Sequence, residues 1–333
     1  MEILIDDDIP LDKWQEMLEN NHYATPFQSP AFFNLYRSDP NNSAKAIAIS
    51  DSGVLKALAV LTLQDEGGIK GFFSKRGIIY GGPLVNSYEH NELELLIKEI
   101  ITVGQRRSIY LEIRNYSDYS QYKDIFIKEG WNYVPYYDIQ INLQYETKES
   151  LQKIFNYNRR REIRQSLERG ATYFICSNDE QMKKVYNILK QNYKERVKLP
   201  LPDLDFFLRY FHTQELIVFG VLHNSEIIGG AFCPVLKNRK LFTFYYCGLR
   251  LYHKKIFPTH LAILAAMEYC IENSIPVFDF MGAGRPDVEY GVRKYKLEFG
   301  GDLLEYGRFI KINNRFLFYV GKLGIKASSI FKP

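Results

Sequence analysis

The sequence predicts an α/β protein with mixed β-sheets, folded as two tandem domains that we place at residues 1–145 and 146–333. The chain of 333 residues is 46% hydrophobic and 15% aromatic, so it can bury a large core and is long enough for two domains. The same order of helix, helix, meander, helix and strand is predicted in each half. No residue-level repeat is visible, so the repeated order alone indicates a duplicated domain.

In the first half, apolar spacing and turn residues predict an order of two helices, a hairpin, further strands and two more helices. The turn Asp51-Ser52-Gly53 separates two β-rich runs, and Gly130 ends a helix as its C-cap. The predicted helices are 11–20, a short helix from Pro30 through Tyr36, 92–105 and 119–129. The predicted strands are 44–50, 54–64, 71–79, 108–113 and 136–143.

The second half opens with a basic helix that Gly170 closes, and it contains a hairpin turned at His223-Asn224-Ser225. The predicted helices are 151–169, 179–193, 205–210 and 259–272. The predicted strands are 172–176, 215–222, 226–236, 240–248 and 277–280.

Composition excludes several classes of protein. The net charge is only +4 from 43 basic and 39 acidic residues, so a polyanion site must be local. The four cysteines and six histidines show no metal-binding spacing, and we expect free buried thiols and no metal. The N-terminus lacks a signal-peptide pattern and no membrane-spanning run occurs, which predicts a cytoplasmic protein. The segment Asn313–Pro333 mixes aromatic residues and lysines, so it either touches a membrane surface or packs as a final helix.

The most informative stretch is Phe278–Gly284, a strand that ends in an acidic residue and glycines, followed by Tyr290–Gly301 with Tyr295-Lys296 and Phe299-Gly300-Gly301. It resembles the closing motif of the FemA/FemB/FemX (FemABX) peptidoglycan-bridge aminoacyltransferases, within the GNAT acyltransferase superfamily. Three further stretches resemble motifs of that family in the same order: Phe27–Pro30, Asn158–Arg164 with Gly170, and Pro258–Tyr269.

The resemblance implies two tandem GNAT-like acyl-CoA N-acyltransferase domains, without the coiled-coil arm of some members. It implies transfer of an amino acid from aminoacyl-tRNA to an amine of a peptidoglycan precursor, with no bound cofactor. The stretch Leu249–Pro258, where such folds hold the coenzyme A pyrophosphate on a glycine-rich turn, has no glycine. This favours aminoacyl-tRNA as donor, although Arg250, His253, Lys254 and Lys255 could hold phosphates and leave acyl-CoA open.

Three residues are predicted to be catalytic. Lys296 matches the lysine of the family's aromatic-lysine pair beside Tyr295, where it would stabilise the oxyanion of acyl transfer. An exposed lysine in a charged segment is the structural alternative. Asp279 lies at a sheet edge, where it would orient the acceptor amine or act as a base, or else only cap its own loop.

Substrate-binding residues are expected on the basic helix and near the closing motif. Two or three of the arginines 159, 160, 161 and 164 could converge on one phosphate, although a solvated helix face is the usual interpretation of a charge run. In the family motif a lysine that helps to bind the precursor diphosphate stands where this chain has Tyr36. The predicted binding set is Arg159, Arg160, Arg161, Arg164, Tyr36, Arg285 and Arg293.

Two alternatives to the peptidoglycan aminoacyltransferase stay open. One is an acyl-CoA-dependent N-acyltransferase that acts on an amino sugar in surface polysaccharide biosynthesis. The other is a non-catalytic protein that binds an envelope precursor or RNA.

Overall fold

The computed structural model describes residues 1–65, 74–86 and 90–321 of the chain. They form two compact units, one made of Met1–Pro135 with the residues from Tyr306 onward, and one made of Tyr136–Glu305. The sequence places a single junction near residue 145, so strand 136–143 and the stretch after Glu305 lie in units other than those expected. In both cases the reason is pairing between strands far apart in sequence, which no local pattern reports.

The first unit is a mixed sheet with helices. Its helices are α1 (Leu11–Asn20), α2 (Pro30–Arg37), α3 (His90–Gln105) and α4 (Lys123–Lys128), and its strands are β1 (Glu2–Ile5), β2 (Asn42–Asp51), β3 (Val54–Gln64), β4 (Arg76–Gly81), β5 (Leu84–Val85), β6 (Tyr110–Asn115), β7 (Asn132–Val134) and β16 (Arg308–Ile312). The strand order is β1-β2-β3-β4-β6-β16-β7, with β5 on β3. Of the predicted strand 71–79, residues 71–73 lie outside the described part of the chain.

The hairpin of β2 and β3 forms because Ser52 and Gly53 both take positive φ, at 51° and 78°, as a tight two-residue turn requires. Further along this sheet, β4 and β6 pair in parallel over their whole length, from Arg76 opposite Tyr110 to Gly81 opposite Asn115. The sheet of the first unit therefore has no gap between these two strands.

The turn Phe27–Pro30 closes over the end of β4. The Gln28 side chain donates to the Gly82 carbonyl at 2.7 Å and accepts from the Thr25 backbone N–H at 2.8 Å. The Tyr119 hydroxyl donates to the carbonyl oxygens of Gly81 and Pro83. These bonds satisfy the backbone carbonyls at the end of the strand, so this motif has a structural role in the first unit.

The second unit is a second mixed sheet with helices. Its helices are α5 (Lys148–Ile154), α6 (Tyr157–Glu168), α7 (Asp179–Asn192), α8 (Leu204–His212), α9 (Pro258–Glu272) and α10 (Gly291–Leu297), and its strands are β8 (Tyr137–Asn142), β9 (Thr172–Ile175), β10 (Leu216–His223), β11 (Glu226–Leu236), β12 (Lys240–Phe242), β13 (Tyr245–Gly248), β14 (Val277–Asp279) and β15 (Asp302–Glu305). The strand order is β15-β8-β14-β12-β11-β10-β9, with β13 on β11.

Two predicted elements are each divided. The helix expected at 151–169 is α5 and α6, because Phe155 is extended and the Asn156 side chain caps α6 by accepting from the Arg159 N–H at 2.8 Å. The strand expected at 240–248 is β12 and β13, which have different partners: β12 lies between β11 and β14, whereas β13 pairs with β11 alone.

The core of the second unit is built around α9, which is apolar on nearly all sides and buried from Leu261 to Met267. All four cysteines are free and buried, as expected from their apolar surroundings. Along the described part of the chain, no helix combines the length and apolar character needed to cross a bilayer.

Candidate active site

The second sheet opens between β13 and the residues after β14. The pairing of β12 with β14 ends at the bond from the Thr243 N–H to the Asp279 carbonyl, at 2.8 Å. The residues after β14 stay bonded to its other neighbour, β8, since the Phe280 N–H donates to the Ile139 carbonyl and the Ala283 N–H donates to the Tyr137 carbonyl. Met281 makes a bend in this stretch with a φ of +59°. In the first unit the corresponding strands β4 and β6 stay paired, so this opening is a feature of the second unit.

Lys296, on α10, reaches into the edge of this opening. Its side chain is buried, and its Nζ donates to the carbonyl oxygens of Phe280, Met281 and Gly282 at 2.6, 3.2 and 2.9 Å. The ammonium therefore satisfies carbonyls that a neighbouring strand would otherwise bond. Lys296 is not the exposed lysine of a charged segment.

Two buried carboxyl groups, Asp279 and Asp138, lie near this ammonium. Asp279 accepts from the Met281 N–H at 2.7 Å and from Gln140 Nε2 at 2.8 Å, so it caps the bend of its own loop. One oxygen of Asp138 accepts from the Ile139 N–H, and the other has no hydrogen-bond partner among the described residues.

Burial shifts the pKa of all three groups against their charged forms. It raises the pKa of Asp138 well above the ordinary value, with the Asp279 charge adding to the effect, and it also raises the pKa of Asp279. Burial lowers the pKa of Lys296 to about 8, while the two carboxyl groups oppose that change. Perturbed groups clustered at the edge of a sheet opening are typical of catalytic sites.

Tyr295 extends from α10 to the other side of the opening. Its ring stacks on Tyr246 of β13, with centroids 5.8 Å apart and an interplanar angle of 15°. Burial raises the pKa of Tyr295 to about 12, and the Arg159 guanidinium opposes that rise. The aromatic-lysine pair thus contacts both borders of the opening, because adjacent helical residues point in different directions.

Arg159 is not part of a phosphate-binding cluster, which corrects the expectation for the basic helix. It is 2% exposed and forms ion pairs with Glu298 at 2.5 Å and Glu162 at 3.2 Å. Its guanidinium lies 4.6 Å from the centroid of Tyr295 and 4.5 Å from that of Phe299. Arg159 therefore ties α6 to α10 and is occupied by protein contacts.

His260, on α9, also contacts the Arg159 guanidinium. Burial, with a further contribution from the Arg159 charge, lowers the pKa of His260 to about 2, so the ring is neutral. No residue pattern around His260 predicts this position.

The other arginines of α6 face solvent. Arg160, Arg161 and Arg164 are exposed, and Arg164 lies 3.7 Å from Glu168 in a surface ion pair. Their side chains remain accessible to an anionic partner, whereas Arg159 does not.

Arg285 and Arg293 hold the loop before α10. Arg285 forms a bidentate ion pair with Asp287 on the surface. Arg293 donates to the carbonyl oxygens of Ala283, Arg285 and Val288, and it lies 5.0 Å from the centroid of Tyr137. It also borders an open cleft of about 440 Å³ along α10, which Asn156 and residues 289–290 help to line.

Tyr36 lies in the first unit and is buried, 4% exposed, against Phe32 with ring centroids 5.1 Å apart. It is a core residue in this structure, contrary to its expected role as a substrate-binding side chain. The helical spacing from Phe32 to Tyr36 explains why both point into the same core.

The turn before α9 uses its backbone N–H groups internally. Lys255 N–H donates to His253 Nδ1 at 3.1 Å, Ile256 N–H to the His253 carbonyl at 3.4 Å, and Phe257 N–H to Ser166 Oγ at 3.0 Å. Pro258 has no N–H. These four consecutive positions have no donor left for a pyrophosphate, which strengthens the argument made from the missing glycines.

Two features of the site were not predicted from the sequence. Asp138 stands at a polar position of the alternating strand, on the same face as Gln140 and Asn142, so no sequence pattern marked its burial. Arg159 shares its helical face with the buried residues Ile163 and Ser166, four and seven positions later, so its burial could have been deduced from spacing.

Comparison with known proteins supports this description of the fold. Residues 155–297 match the family model for the acetyltransferase (GNAT) domain. No curated protein sequence matches the chain.

Three solved structures illustrate the similarity over the whole chain. FemX has a TM-score of 0.73 at 14% identity, covering 96% of this chain and 99% of its own. L-PGS from Bacillus licheniformis has a TM-score of 0.61 at 12% identity, covering 94% and 96%. A tandem GNAT protein from the clavulanic acid biosynthesis pathway has a TM-score of 0.60 at 11% identity, covering 94% and 98%.

The similarity to FemX confirms the resemblance deduced from the motifs, and the tandem GNAT neighbours confirm the predicted fold class. The findings together support an acyltransferase. The chain is a tandem protein of the GNAT acetyltransferase fold, similar to FemX, whose second unit contains the stretch that matches the GNAT domain.

Proposed function

We propose that this protein transfers an amino acid from aminoacyl-tRNA to an amine of a peptidoglycan precursor, and that the second unit is the catalytic unit. The choice of donor rests on the turn before α9. There the backbone N–H groups of residues 255–257 form hydrogen bonds within the protein, and residue 258 is proline. An acyl-CoA donor would need such groups for its pyrophosphate. The exposed arginines 160, 161 and 164 offer charges to RNA phosphates instead.

In the proposed step, the acceptor amine nitrogen attacks the ester carbonyl carbon of aminoacyl-tRNA. The oxyanion that forms collapses and breaks the bond to the ribose oxygen, which takes up the proton that the amine loses. Lys296 supplies positive charge to the oxyanion. Three carbonyl bonds hold its ammonium in place, and Asp138 and Asp279 favour its charged form against the effect of burial.

Tyr295 and Asp279 have positioning roles in this proposal. Tyr295 keeps α10 against β13 through its contact with Tyr246. Asp279 fixes the bend at Met281 whose carbonyls hold Lys296. Neither residue needs to exchange a proton with the substrate.

An acyl-CoA-dependent N-acyltransferase that acts on an amino sugar is the second candidate. The match of residues 155–297 to the acetyltransferase domain favours it. The remaining alternative, a protein that binds without catalysis, would transfer no label from either donor.

The test compares both donors with purified full-length protein. One assay follows a labelled amino acid from charged tRNA to a peptidoglycan precursor, and the other follows label from acetyl-CoA to an amino sugar. Calorimetry measures coenzyme A binding in parallel. Transfer from tRNA without tight coenzyme A binding supports the proposal, whereas transfer from acetyl-CoA with tight binding contradicts it.

The Lys296→Met variant tests the mechanism, and Lys183→Met, at an exposed position of α7, is the matched control. Circular dichroism shows whether each variant is folded. We expect a loss of about 100-fold or more in transfer rate for the Lys296 variant, as is usual when a group that stabilises an oxyanion is removed. A folded Lys296 variant with the activity of wild type would contradict the role given to this ammonium.

A further inference from the structure

Two exposed segments of the second unit start from one point at the end of the sheet. There Asn192 Nδ2 donates to the Gly248 carbonyl at 3.1 Å, and Tyr193 and Tyr245 have ring centroids 5.7 Å apart. Residues 193–202 follow α7, and residues 249–257 follow β13. Because an extended residue spans about 3.5 Å, Val197 and Leu251 both lie within about 20 Å of this contact.

These segments carry the excess positive charge of the chain. They contain six exposed basic residues: Lys194, Arg196, Lys198, Arg250, Lys254 and Lys255. None of the six forms an ion pair within the described ranges. Glu195 is the single acidic residue of both segments, and the rest of the chain has 37 basic against 38 acidic residues. The local charge is therefore not neutralised by neighbours.

Large aliphatic side chains stand among these cations. Val197, Leu199 and Leu251 are 42%, 65% and 89% exposed. Leu251 also has a φ of +55°, a left-handed conformation that leucine adopts at a cost and asparagine or glycine adopts more easily. Neither packing nor backbone geometry accounts for a leucine at this position.

We propose that the surface formed by residues 193–199 and 250–255 docks on a bilayer that contains anionic lipids, with the aliphatic side chains in the interface and the cations at the headgroups. Exposed leucines among lysines suit a lipid interface, because the aliphatic groups gain by leaving water and the lysines gain from the surface potential. RNA has no apolar phase in which an exposed leucine could be buried, because single strands bind by stacking on aromatic or arginine side chains. The proposal does not depend on the transferase activity.

Vesicle sedimentation with the full-length protein tests this proposal. We expect binding to phosphatidylcholine vesicles that contain about one third phosphatidylglycerol, weaker binding as salt rises, and little binding to phosphatidylcholine alone. Because each basic residue near an anionic surface contributes about fivefold to partitioning, the double variant Lys254→Ala/Lys255→Ala should bind about 25-fold more weakly. The double variant Lys183→Ala/Lys184→Ala, at exposed positions of α7, removes the same two charges and is the matched control.

Leu251→Asn tests the aliphatic part without endangering the fold, because asparagine suits the left-handed backbone better than leucine does. It should lower partitioning by about tenfold. Leu11→Asn, at a leucine of the first unit that is 67% exposed, should leave binding unchanged. Absence of binding to the anionic vesicles, or binding that these variants do not weaken, overturns the proposal. Binding of labelled RNA that the lysine variant weakens, without vesicle binding, overturns it in favour of RNA.

Discussion

Replacing Arg159 with alanine should destabilise the second unit strongly. The side chain is 2% exposed, pairs with Glu298 and Glu162, and lies against the rings of Tyr295 and Phe299. Breaking a buried ion pair costs about 3–5 kcal/mol, and a desolvated cation over an aromatic ring adds up to about 2 kcal/mol. Both carboxylates are partly exposed and can regain water, so we expect a net loss of about 3–4 kcal/mol.

Urea unfolding followed by circular dichroism measures this loss as a lower midpoint at unchanged slope. Tryptophan fluorescence reports only the first unit, which contains both Trp14 and Trp131, so it should be unaffected by the substitution. Arg160→Ala is the matched control, because its side chain is exposed on the same helix, and its effect should stay within about 0.5 kcal/mol. Equal and small effects of the two substitutions would refute the conclusion that Arg159 is a structural tie between α6 and α10.

Three further predictions concern the closing motif and the first unit. Gly301→Ala should lower the free energy of unfolding by about 2–4 kcal/mol, because φ is +91° and a Cβ would lie 2.6 Å from the Gln140 carbonyl oxygen. The control Gly291→Ala has open space around the added Cβ and should be near neutral in the same unfolding assay. If the Lys296 ammonium is required, the transfer rate should decline as pH rises through about 8. The free energy of unfolding should instead increase between about pH 8 and 10, because in that range the lysine is protonated in the unfolded chain and neutral in the folded one. Transfer and stability profiles against pH that are identical to those of Lys296→Met would contradict both statements. Tyr119→Phe should cost about 1–3 kcal/mol, because the hydroxyl shares its one hydrogen between the buried carbonyl oxygens of Pro83 and Gly81 and both lose that donor; an unchanged melting curve would contradict this.

Local chemistry made much of the fold predictable. The turn at Ser52-Gly53 and the turn at Asn224-Ser225 have positive φ values that these residues tolerate, so both hairpins follow from short stretches of sequence. The expected helix at 151–169 failed for an equally local reason, since Asn156 caps a new helix there. The prediction located the helical stretch but missed this break, because it did not recognise Asn156 as the residue that begins a new helix.

The site was predictable in part. The closing motif indicated Lys296 and Tyr295, and these residues do lie at the sheet opening. Spacing along one helix could indicate that Arg159 is buried, but it could not identify Glu298 and Phe299 as its partners, because they come from a helix end far along the chain.

The sequence by itself determined the class of fold, the hairpins, the missing phosphate turn and the candidate lysine, because each depends on neighbouring residues. Tertiary structure alone decided that β8 belongs to the second sheet, since its partners β14 and β15 are more than a hundred residues away. It also decided the environment of Lys296. Burial next to Asp138 and Asp279 arises from strands that meet only in the folded sheet, and that proximity sets the charge at the site.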